Sequence, residues 1–336
     1  MISIKDIAGE CGVSIATVSK ALNNHKDVSE ATKQLVRDTA KRLGYLPNSQ
    51  ARALKTNKTY NIGVLLVENA DSGLEHSYFS SVLNSFKREA EKHGYDITFI
   101  SSNVGELDVT YYEHCLYRNV DGVFIACGDF YSDNVRSLLD SPLPLVTVDY
   151  ISDKKPSVVS DNFQGMGDLV RYVSSKGHKK IAYIYGDVSD VTKARIKGYK
   201  EALEQLGLTY RDEYMVQAKY LDPVKTERVM TELLKLPDPP TCIILPDDFS
   251  AVGAMNALEE MGLSVPDDIS IAGYDGIMLS RVLRPRLTTI KQDTERLGRE
   301  AARLLISLMR KEISADTPPV VIPGYILEGD SIKELS

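Results

Sequence analysis

The sequence predicts an α/β protein in which a small helical head precedes a body of two parallel-sheet subdomains. Residues 4–43 carry three helical patterns separated by glycine and serine. From residue 61 onward, short buried-strand runs alternate with amphipathic helices, a rhythm typical of a parallel sheet with helices on both faces. A chain of 336 residues, 43% of them hydrophobic, is long enough for two or three such domains.

The first two helical patterns are joined by a tight turn. Gly12 can adopt the positive φ that ends a helix, and Ser14 can cap the next one. Val18 and Leu22 are predicted to form the buried stripe of the second helix. Its outward face is predicted to carry Ile15, Ala16, Thr17, Ser19 and Lys20. Such a helix can enter a DNA major groove, although an ordinary helical hairpin explains this segment alone equally well.

A third helical pattern and a short polar segment follow. The third pattern runs over Glu30–Leu43, with Ser29 as its cap and Gly44 as its end. Its predicted buried face consists of Leu35, Val36, Ala40 and Leu43. The segment Ser49–Lys55 is too short to be a stable helix alone, and we expect it to fold only on binding DNA.

Together these motifs resemble the lactose-repressor (LacI/GalR) family of bacterial transcription regulators. The resemblance rests on IKDIA, GVS.ATVSKALN, LGY.PN and AR.LK within residues 2–56. It implies a helix-turn-helix DNA-binding domain (1–47), a hinge helix and linker (48–60) and an effector-binding domain (61–336). The DNA-binding residues it implies are Ser14, Ile15, Ala16, Thr17, Ser19, Lys20, Asn23, Arg52, Leu54 and Lys55, with Leu54 as a wedge in the minor groove.

Charge is distributed unevenly along the chain. Residues 1–60 contain ten Lys and Arg against five Asp and Glu, whereas residues 61–336 contain thirty against forty-two. A basic head on an acidic body is expected when one end contacts phosphate. The four cysteines have no paired spacing, so thiols are expected rather than disulfides or a zinc site. No signal peptide or membrane-length apolar run is present, so a cytoplasmic protein without a membrane partner is expected.

The body alternates strand and helix patterns. Strands are predicted at 61–67, 95–100, 121–126, 144–149, 157–161, 180–186, 241–247, 270–275, 288–293 and 319–326. Helices are predicted at 78–93, 108–118, 132–139, 162–176, 194–206, 224–236, 248–261 and 294–311. The resemblance implies a periplasmic-binding-protein-like type I sensor. Its N-subdomain would span about 61–160 and 291–321 and its C-subdomain about 161–290 and 322–336, with crossings near 160, 290 and 322.

Polar side chains collect at the predicted strand ends, where tandem sheet subdomains most often hold a ligand. These residues are Asp149, Asp161, Asp247, Asp248, Asp275 and Gln292. Carboxylates and amides can accept hydrogen bonds from a polyol. Asp at a strand-to-helix junction is also a common N-cap, and this is our interpretation of Asp248. For Asp161 the cap and the ligand contact remain equally open.

Arg195 and Asp275 match the family's ligand-binding pattern. Arg195 is predicted at the start of a helix, where the dipole disfavours a cation, so a negative partner is expected. Asp149, Asp247 and Gln292 match the related sugar-binding pattern. Tyr78 and Phe79 lie where family members place an aromatic pair against the ligand.

A sugar or sugar derivative is the predicted effector class. The segment 187–193 lacks the arginine that purine-sensing relatives carry there, which argues against a purine. His76-Ser77 replaces the usual Asn-Pro before the aromatic pair, so the effector is harder to define. The overall prediction is a ligand-responsive transcription regulator, with repression the favoured mode, that reads a pseudo-palindromic operator as a homodimer.

Three other functions are alternatives to a ligand-responsive transcription regulator. A dehydrogenase would need a G-x-G-x-x-G phosphate loop, and the nearest match, at Gly165 and Gly167, has Val170 at the third position. No nucleophile elbow or zinc-protease motif is present, so neither catalysis nor a cofactor is expected. A secreted solute-binding protein would begin with a signal peptide rather than a helix-turn-helix. A DNA-binding protein with a ligand-blind body remains an alternative.

Overall fold

The computed structural model describes residues 2–45, 58–67 and 73–335. The chain divides into two compact units, Met1–Thr59 and Tyr60–Ser336. The predicted hinge segment Ser49–Lys55, with its DNA-binding candidates Arg52, Leu54 and Lys55, lies outside the described residues.

The first unit contains three helices: α1 (Ile4–Cys11), α2 (Ile15–Leu22) and α3 (Glu30–Leu43). Gly12 and Gly44 end α1 and α3 in the left-handed conformation, and Ser14 and Ser29 cap α2 and α3. The predicted bounds of α3, the predicted end of α1 at Gly12 and the predicted cap of α2 at Ser14 are thereby confirmed. Fully buried Ile7, Val18 and Val36 form the centre of the small core, one from each helix.

Three residues of the predicted buried faces of α2 and α3 are less buried than expected: Leu22 and Leu43 are half-buried and Leu35 is exposed. Leu35 is 49% exposed, because it is displaced by one position from the stripe that contains Val36. Lys33 takes the buried place instead, with its Nζ 2.7 Å from the Glu30 carboxylate. Its aliphatic stem therefore serves as an apolar group. In α2 the fully buried partner of Val18 is Ala21, and Leu22 is only half-buried.

The strands of the second unit are β1 (Asn61–Leu66), β2 (Asp96–Phe99), β3 (Asn103–Val104), β4 (Leu107–Asp108), β5 (Gly122–Cys127), β6 (Leu145–Val148), β7 (Ser157–Ser160), β8 (Ile181–Tyr185), β9 (Met215–Gln217), β10 (Cys242–Ile244), β11 (Ser270–Asp275), β12 (Thr288–Lys291), β13 (Val320–Ile322) and β14 (Tyr325–Leu327). Its helices are α4 (Ser77–Lys92), α5 (Tyr111–Arg118), α6 (Asp133–Asp140), α7 (Asn162–Ser175), α8 (Asp190–Gln205), α9 (Pro223–Leu234), α10 (Ala251–Glu260), α11 (Met278–Val282) and α12 (Thr294–Met309).

Two six-stranded sheets organise the second unit. The first has the order β13-β7-β6-β5-β1-β2 with all neighbours parallel, and together with α4, α5, α6 and α12 it forms the N-subdomain. The second has the order β14-β12-β11-β10-β8-β9, with only β14 antiparallel, and together with α7 to α11 it forms the C-subdomain. Separate apolar clusters fill the two faces of each sheet. The predicted α/β fold with parallel sheets is confirmed.

The chain passes between the sheets three times: after β7, after β12 and between β13 and β14. The predicted strand 319–326 is therefore two strands in different sheets, separated at Pro323-Gly324. Strand β9, helix α11 and the β3–β4 hairpin have no counterpart among the predicted elements. No helix of the described residues is long and apolar enough to cross a membrane.

Candidate functional site

A cavity of about 270 Å³ lies where the carboxyl ends of the two sheets meet. Its walls come from both subdomains. The N-subdomain contributes His76, Tyr78, Phe79, Asp129, Phe130, Tyr131, Asp149 and Tyr150, and the C-subdomain contributes Asp187, Asp190, Arg195, Tyr220, Asp275 and Gln292. The structure thus brings together six of the seven predicted effector residues: Tyr78, Phe79, Asp149, Arg195, Asp275 and Gln292.

On the N-subdomain side, Asp149 is held by two donors. The Tyr78 hydroxyl donates to Oδ2 at 2.5 Å, and the backbone N–H of Ser160 donates to Oδ1 at 2.7 Å. Burial raises the pKa of this carboxyl group, and the two hydrogen bonds counteract part of that rise. Asp149 has φ +53°, and this left-handed turn directly after β6 points its side chain back into the cavity wall.

On the C-subdomain side, Arg195 is fixed from beneath. Its Nε donates to Asn162 Oδ1 at 2.8 Å and its Nη1 to the Pro246 carbonyl at 3.0 Å. The guanidinium carbon lies 3.5 Å from the centre of the Tyr274 ring. Because α8 begins at Asp190, Arg195 sits in the second turn, so the predicted conflict with the N-terminal helix dipole is wrong. Because Arg195 is buried, its positive charge instead requires hydrogen-bond acceptors and negative groups nearby to offset the lost hydration.

Asp275 faces this guanidinium from the last position of β11. Its Oδ1 lies 3.6 Å from Arg195 Nη2 and accepts a hydrogen bond from Gln292 Nε2 at 2.6 Å. Burial raises the pKa of the Asp275 carboxyl group to about 7, even though the Arg195 charge lowers it. Gln292 Oε1 is buried and has no hydrogen-bonding partner among the described residues.

Aromatic rings supply most of the apolar wall. Phe130 and Tyr150 stack with their centroids 4.0 Å apart and their planes 2° from parallel. Tyr78 and Phe79 meet edge to face at 5.2 Å, so the predicted aromatic pair lies at the wall. Phe130 and Tyr150 were not among the predicted site residues, although both follow N-subdomain strands at the same sheet edge as Asp149.

Tyr220 is a further wall residue that the sequence did not indicate. Its hydroxyl lies 2.8 Å from Thr192 Oγ1, and its ring centre lies 5.8 Å from the Arg195 guanidinium. It follows β9, a three-residue strand too short to give a sequence pattern.

A hydrogen bond joins the two subdomains at the cavity. The hydroxyl of Tyr131, from the N-subdomain, lies 3.1 Å from both carboxylate oxygens of Asp190, the first residue of α8. Lys193 pairs with the same carboxylate at 3.0 Å. Any opening of the subdomains about this edge must break the Tyr131–Asp190 hydrogen bond.

Three further strand-end aspartates have structural partners and are not among the described residues that line the cavity. Asp161 caps α7 by accepting from the Gln164 N–H at 3.0 Å, the first of its two predicted roles. Asp247, a predicted effector contact, accepts from the N–H groups of Leu221 and Ser250. The N-cap interpretation of Asp248 is wrong, since α10 begins only at Ala251 and the Asp248 oxygens accept from Ile277 and Thr289.

The predicted groove-facing residues lie on one side of α2. Ile15, Ala16 and Lys20 are exposed, and the Lys20 ammonium pairs with Asp27 at 2.6 Å. Ser14 is exposed and caps the helix, and the exposed Asn23 donates to the Ser19 carbonyl at 2.6 Å. The outward placement predicted for Thr17 and Ser19 holds only in part, because both are half-buried.

The possible phosphate loop around Gly165 has no structural support. Gly165 and Gly167 lie inside α7, beyond its first turn, where the backbone N–H groups are used by the helix. They therefore cannot form the glycine turn that places amides against a pyrophosphate.

A helical head of helix-turn-helix type, followed by a body with a cavity between two parallel-sheet subdomains, defines a ligand-responsive DNA-binding regulator. A family model described as bacterial regulatory proteins, lacI family, matches residues 3–48, and one described as a periplasmic binding protein-like domain matches residues 170–332. The HTH-type transcriptional repressor PurR of Mannheimia succiniciproducens is 34% identical over the whole of both chains. Catabolite control protein A of Priestia megaterium is 32% identical over 99% of each. The chain belongs to the lacI family of bacterial regulatory proteins.

Solved structures agree with this fold. The lac repressor dimer bound to operator and the anti-inducer ONPF superimposes with a TM-score of 0.81 at 24% identity, covering 99% of both chains. The complex of transcriptional regulator CelR with cellobiose gives a TM-score of 0.71 at 24% identity, covering 98% of this chain and 100% of that one.

Proposed function

We propose that the protein is a cytoplasmic repressor that binds a pseudo-palindromic operator as a homodimer and responds to a sugar or sugar derivative bound between its subdomains. The observation that carries this proposal is the cavity in which Arg195 and Asp275 of one subdomain face Asp149 of the other. A ligand that contacts both walls is bound more tightly when they are close, and so favours the closed arrangement.

The chemistry of the cavity supports a sugar-like effector. Carboxylates, an amide and a guanidinium can hydrogen-bond to several hydroxyl groups, and the Phe130–Tyr150 stack offers apolar faces for the C–H side of a sugar ring. The structural similarity to a regulator bound to cellobiose is consistent with this choice. Regulation of carbohydrate-metabolism genes would follow from it.

Exposed large apolar side chains in both subdomains support the homodimer. In the N-subdomain, Phe99 ends the edge strand β2, and Leu116 and Tyr117 lie on α5. In the C-subdomain, Phe249 and Met278 are 42% and 77% exposed. Apolar side chains that cluster on a surface commonly mark protein–protein contacts, and a two-fold axis would bury those of each subdomain against their copies.

In the head, Lys20 is the proposed donor to guanine, whereas Ile15 and Ala16 would offer apolar contact to base edges. To reach a base, Lys20 must break its ion pair with Asp27. This pair is exposed to solvent, so breaking it costs little free energy. Ser14, Thr17, Ser19 and Asn23 would contribute phosphate contacts. The proposed Leu54 wedge and its neighbours Arg52 and Lys55 lie outside the described residues.

Selection of operators from a random DNA pool tests this function. The wild type should return a two-fold symmetric motif, and Lys20→Ala should relax one position in each half-site, at a cost of about 1–3 kcal/mol there. Asp27→Asn is the matched control, since it removes the Lys20 partner and should leave the motif unchanged. The same motif from wild type and Lys20→Ala would remove Lys20 from base reading. A motif selected by the wild type that lacks two-fold symmetry would contradict the homodimeric operator complex.

A further inference from the structure

Several acceptor oxygens in the described part of the cavity wall have no donor facing them. Gln292 Oε1 has no hydrogen-bonding partner among the described residues, although the atom is buried and the residue is only 3% exposed. Asp275 directs Oδ1 to Gln292 and Arg195, while its Oδ2 meets no donor among the described residues. The half-buried Asp187 carboxylate likewise makes no hydrogen bond or ion pair with them.

Some of the donors beside these atoms are already engaged by the protein. Tyr78 gives its proton to Asp149, and Arg195 uses Nε and Nη1 for Asn162 and the Pro246 carbonyl. The Arg195 Nη2 group, 3.6 Å from Asp275, and the Tyr150 hydroxyl can still donate to a ligand. The unpaired acceptors, however, require a bound molecule that donates hydrogen bonds to them. Hydroxyl and ammonium groups can do this, whereas a phosphate dianion or a carboxylate only accepts.

The charge of the cavity wall also disfavours anionic ligands. Five aspartates line the described part of the cavity (Asp129, Asp149, Asp187, Asp190 and Asp275). The cations that face them are Arg195 in the wall and Lys193, which pairs with Asp190. Even with Asp275 neutral, the negative groups remain in excess. A cleft lined by one sign of charge concentrates ligands of the opposite sign and repels those of its own.

We infer that the cavity accepts uncharged or cationic molecules rich in hydrogen-bond donors, such as free sugars and amino sugars, and rejects phosphorylated and carboxylated sugars. This inference rests on the proposed function, because it narrows the chemical class of the effector for the same cavity. The aromatic rings of Phe130, Tyr131 and Tyr150 suit both members of the class, since they can pack on sugar C–H groups and attract an ammonium.

A thiol placed at the cavity measures its charge preference without knowledge of the effector. Val188 lines the cavity and is 69% exposed, so Val188→Cys in the full chain presents a reactive thiol there. Its modification by a cationic and an anionic methanethiosulfonate is followed by mass spectrometry of the peptide that contains residue 188. Each rate is divided by the rate of the same reagent with 2-mercaptoethanol.

The normalised cation-to-anion ratio should be about tenfold or more at low salt. Asp187→Asn should lower it, and so should added salt, which screens exposed charges. Thr209→Cys, an exposed position that does not line the cavity, is the matched control and should give a ratio near one. A ratio at Val188→Cys equal to the control, or one that favours the anion, would overturn the inference.

Matched ligand sets give the second readout. Thermal shift and calorimetry compare a hexose with its 2-amino, 6-phosphate and uronate derivatives, for several hexoses and cellobiose. In any set that binds, the phosphate and uronate should be at least about tenfold weaker than the parent sugar. A phosphate that binds more tightly overturns the inference and leaves the proposed effector response intact. If no set binds, the proposed sugar effector fails, whereas the thiol ratio still decides the charge preference.

Discussion

Asp275 combines backbone strain, burial and an incomplete set of partners at one position. Its φ of +104° lies in a region that side chains other than glycine rarely adopt. The residue is 9% exposed, and its carboxylate lies 3.6 Å from the nearest cation, which is longer than a direct hydrogen bond. A position that is unfavourable in three respects is difficult to explain by stability alone, and a hydrogen-bonding ligand would relieve two of them.

The raised pKa of Asp275 predicts a pH-dependent stability. Because the folded pKa of about 7 exceeds the ordinary aspartate value of 3.8, the folded state holds a proton between these pH values that the unfolded state has lost. This contribution to stability is therefore complete below pH 3.8, declines as the pH rises towards 7, and stays lost above. Asp275→Asn keeps the neutral form, so its melting temperature relative to wild type should increase between pH 5 and pH 8.

At pH 8, the free energy of unfolding of Asp275→Asn should exceed that of the wild type by more than about 1.4 kcal/mol, the free energy that corresponds to one pKa unit. Thermal melts of both proteins across this pH range, without ligand, measure it. Asp161→Asn serves as the control, because Asp161 caps α7 and is not among the described residues that line the cavity. A difference between Asp275→Asn and wild type that does not change with pH would contradict the account of this residue.

At the scale of elements, α8 determines much of the site. It starts at Asp190, four residues before the predicted start, because Ser189 accepts a hydrogen bond from the Thr192 N–H and caps the helix there. The sequence pattern did not indicate the first turn of α8, because Val188 and Val191 do not continue the buried stripe of the helix. The earlier start places Asp190 opposite Tyr131 and moves Arg195 into the second turn, with its guanidinium over Tyr274.

The Tyr131–Asp190 contact predicts an effect on ligand release. Tyr131→Phe removes a hydrogen bond between the subdomains and keeps the ring, so the closed arrangement should lose about 0.5–1.5 kcal/mol. We expect a two- to tenfold faster effector release measured by stopped flow, with little change in operator affinity without effector. Tyr325→Phe is the matched control, since Tyr325 is exposed and is not among the described residues that line the cavity. Equal release rates for wild type and Tyr131→Phe would show that the contact does not hold the cleft closed.

At the scale of the whole molecule, the alternation of strands and helices was sufficient to predict the fold class. Strong buried runs such as those of β1 and β11 gave bounds within a residue. Short elements such as β9 were missed, because three residues carry no periodicity. Strand β14 was merged with β13, since the sequence does not show that a chain leaves one sheet for another at Pro323-Gly324.

The candidate site was predictable to the extent that it follows from sheet topology. Strand ends converge in any two-sheet body of this type, so Asp149, Asp275 and Gln292 could be grouped without a structure. Asp247 obeyed the same rule, yet its carboxylate is used by Ser250 and Leu221, because the loop after β10 turns it away from the cavity. Such local hydrogen bonding depends on loop geometry, which a single sequence does not encode in a readable pattern.

Coupling between the cavity and DNA is the central claim for the whole molecule. Closure of the two subdomains around an effector would alter how the exposed apolar side chains of two copies meet, and so the spacing of the paired heads. A coupling of this kind typically changes affinity by about 5- to 150-fold. Arg195 is suited to test it, since it lines the cavity and lies in the second unit, whereas the DNA-reading helix lies in the first.

The most direct measurement is the operator affinity of wild type and Arg195→Met, determined by fluorescence anisotropy on the selected operator, with and without a sugar found to bind the wild type. Both proteins should bind the operator equally without the sugar. The sugar should shift the wild-type affinity by at least about fivefold and leave Arg195→Met unchanged. An equal shift in both proteins, or no shift in the wild type, would contradict control of DNA binding from this cavity.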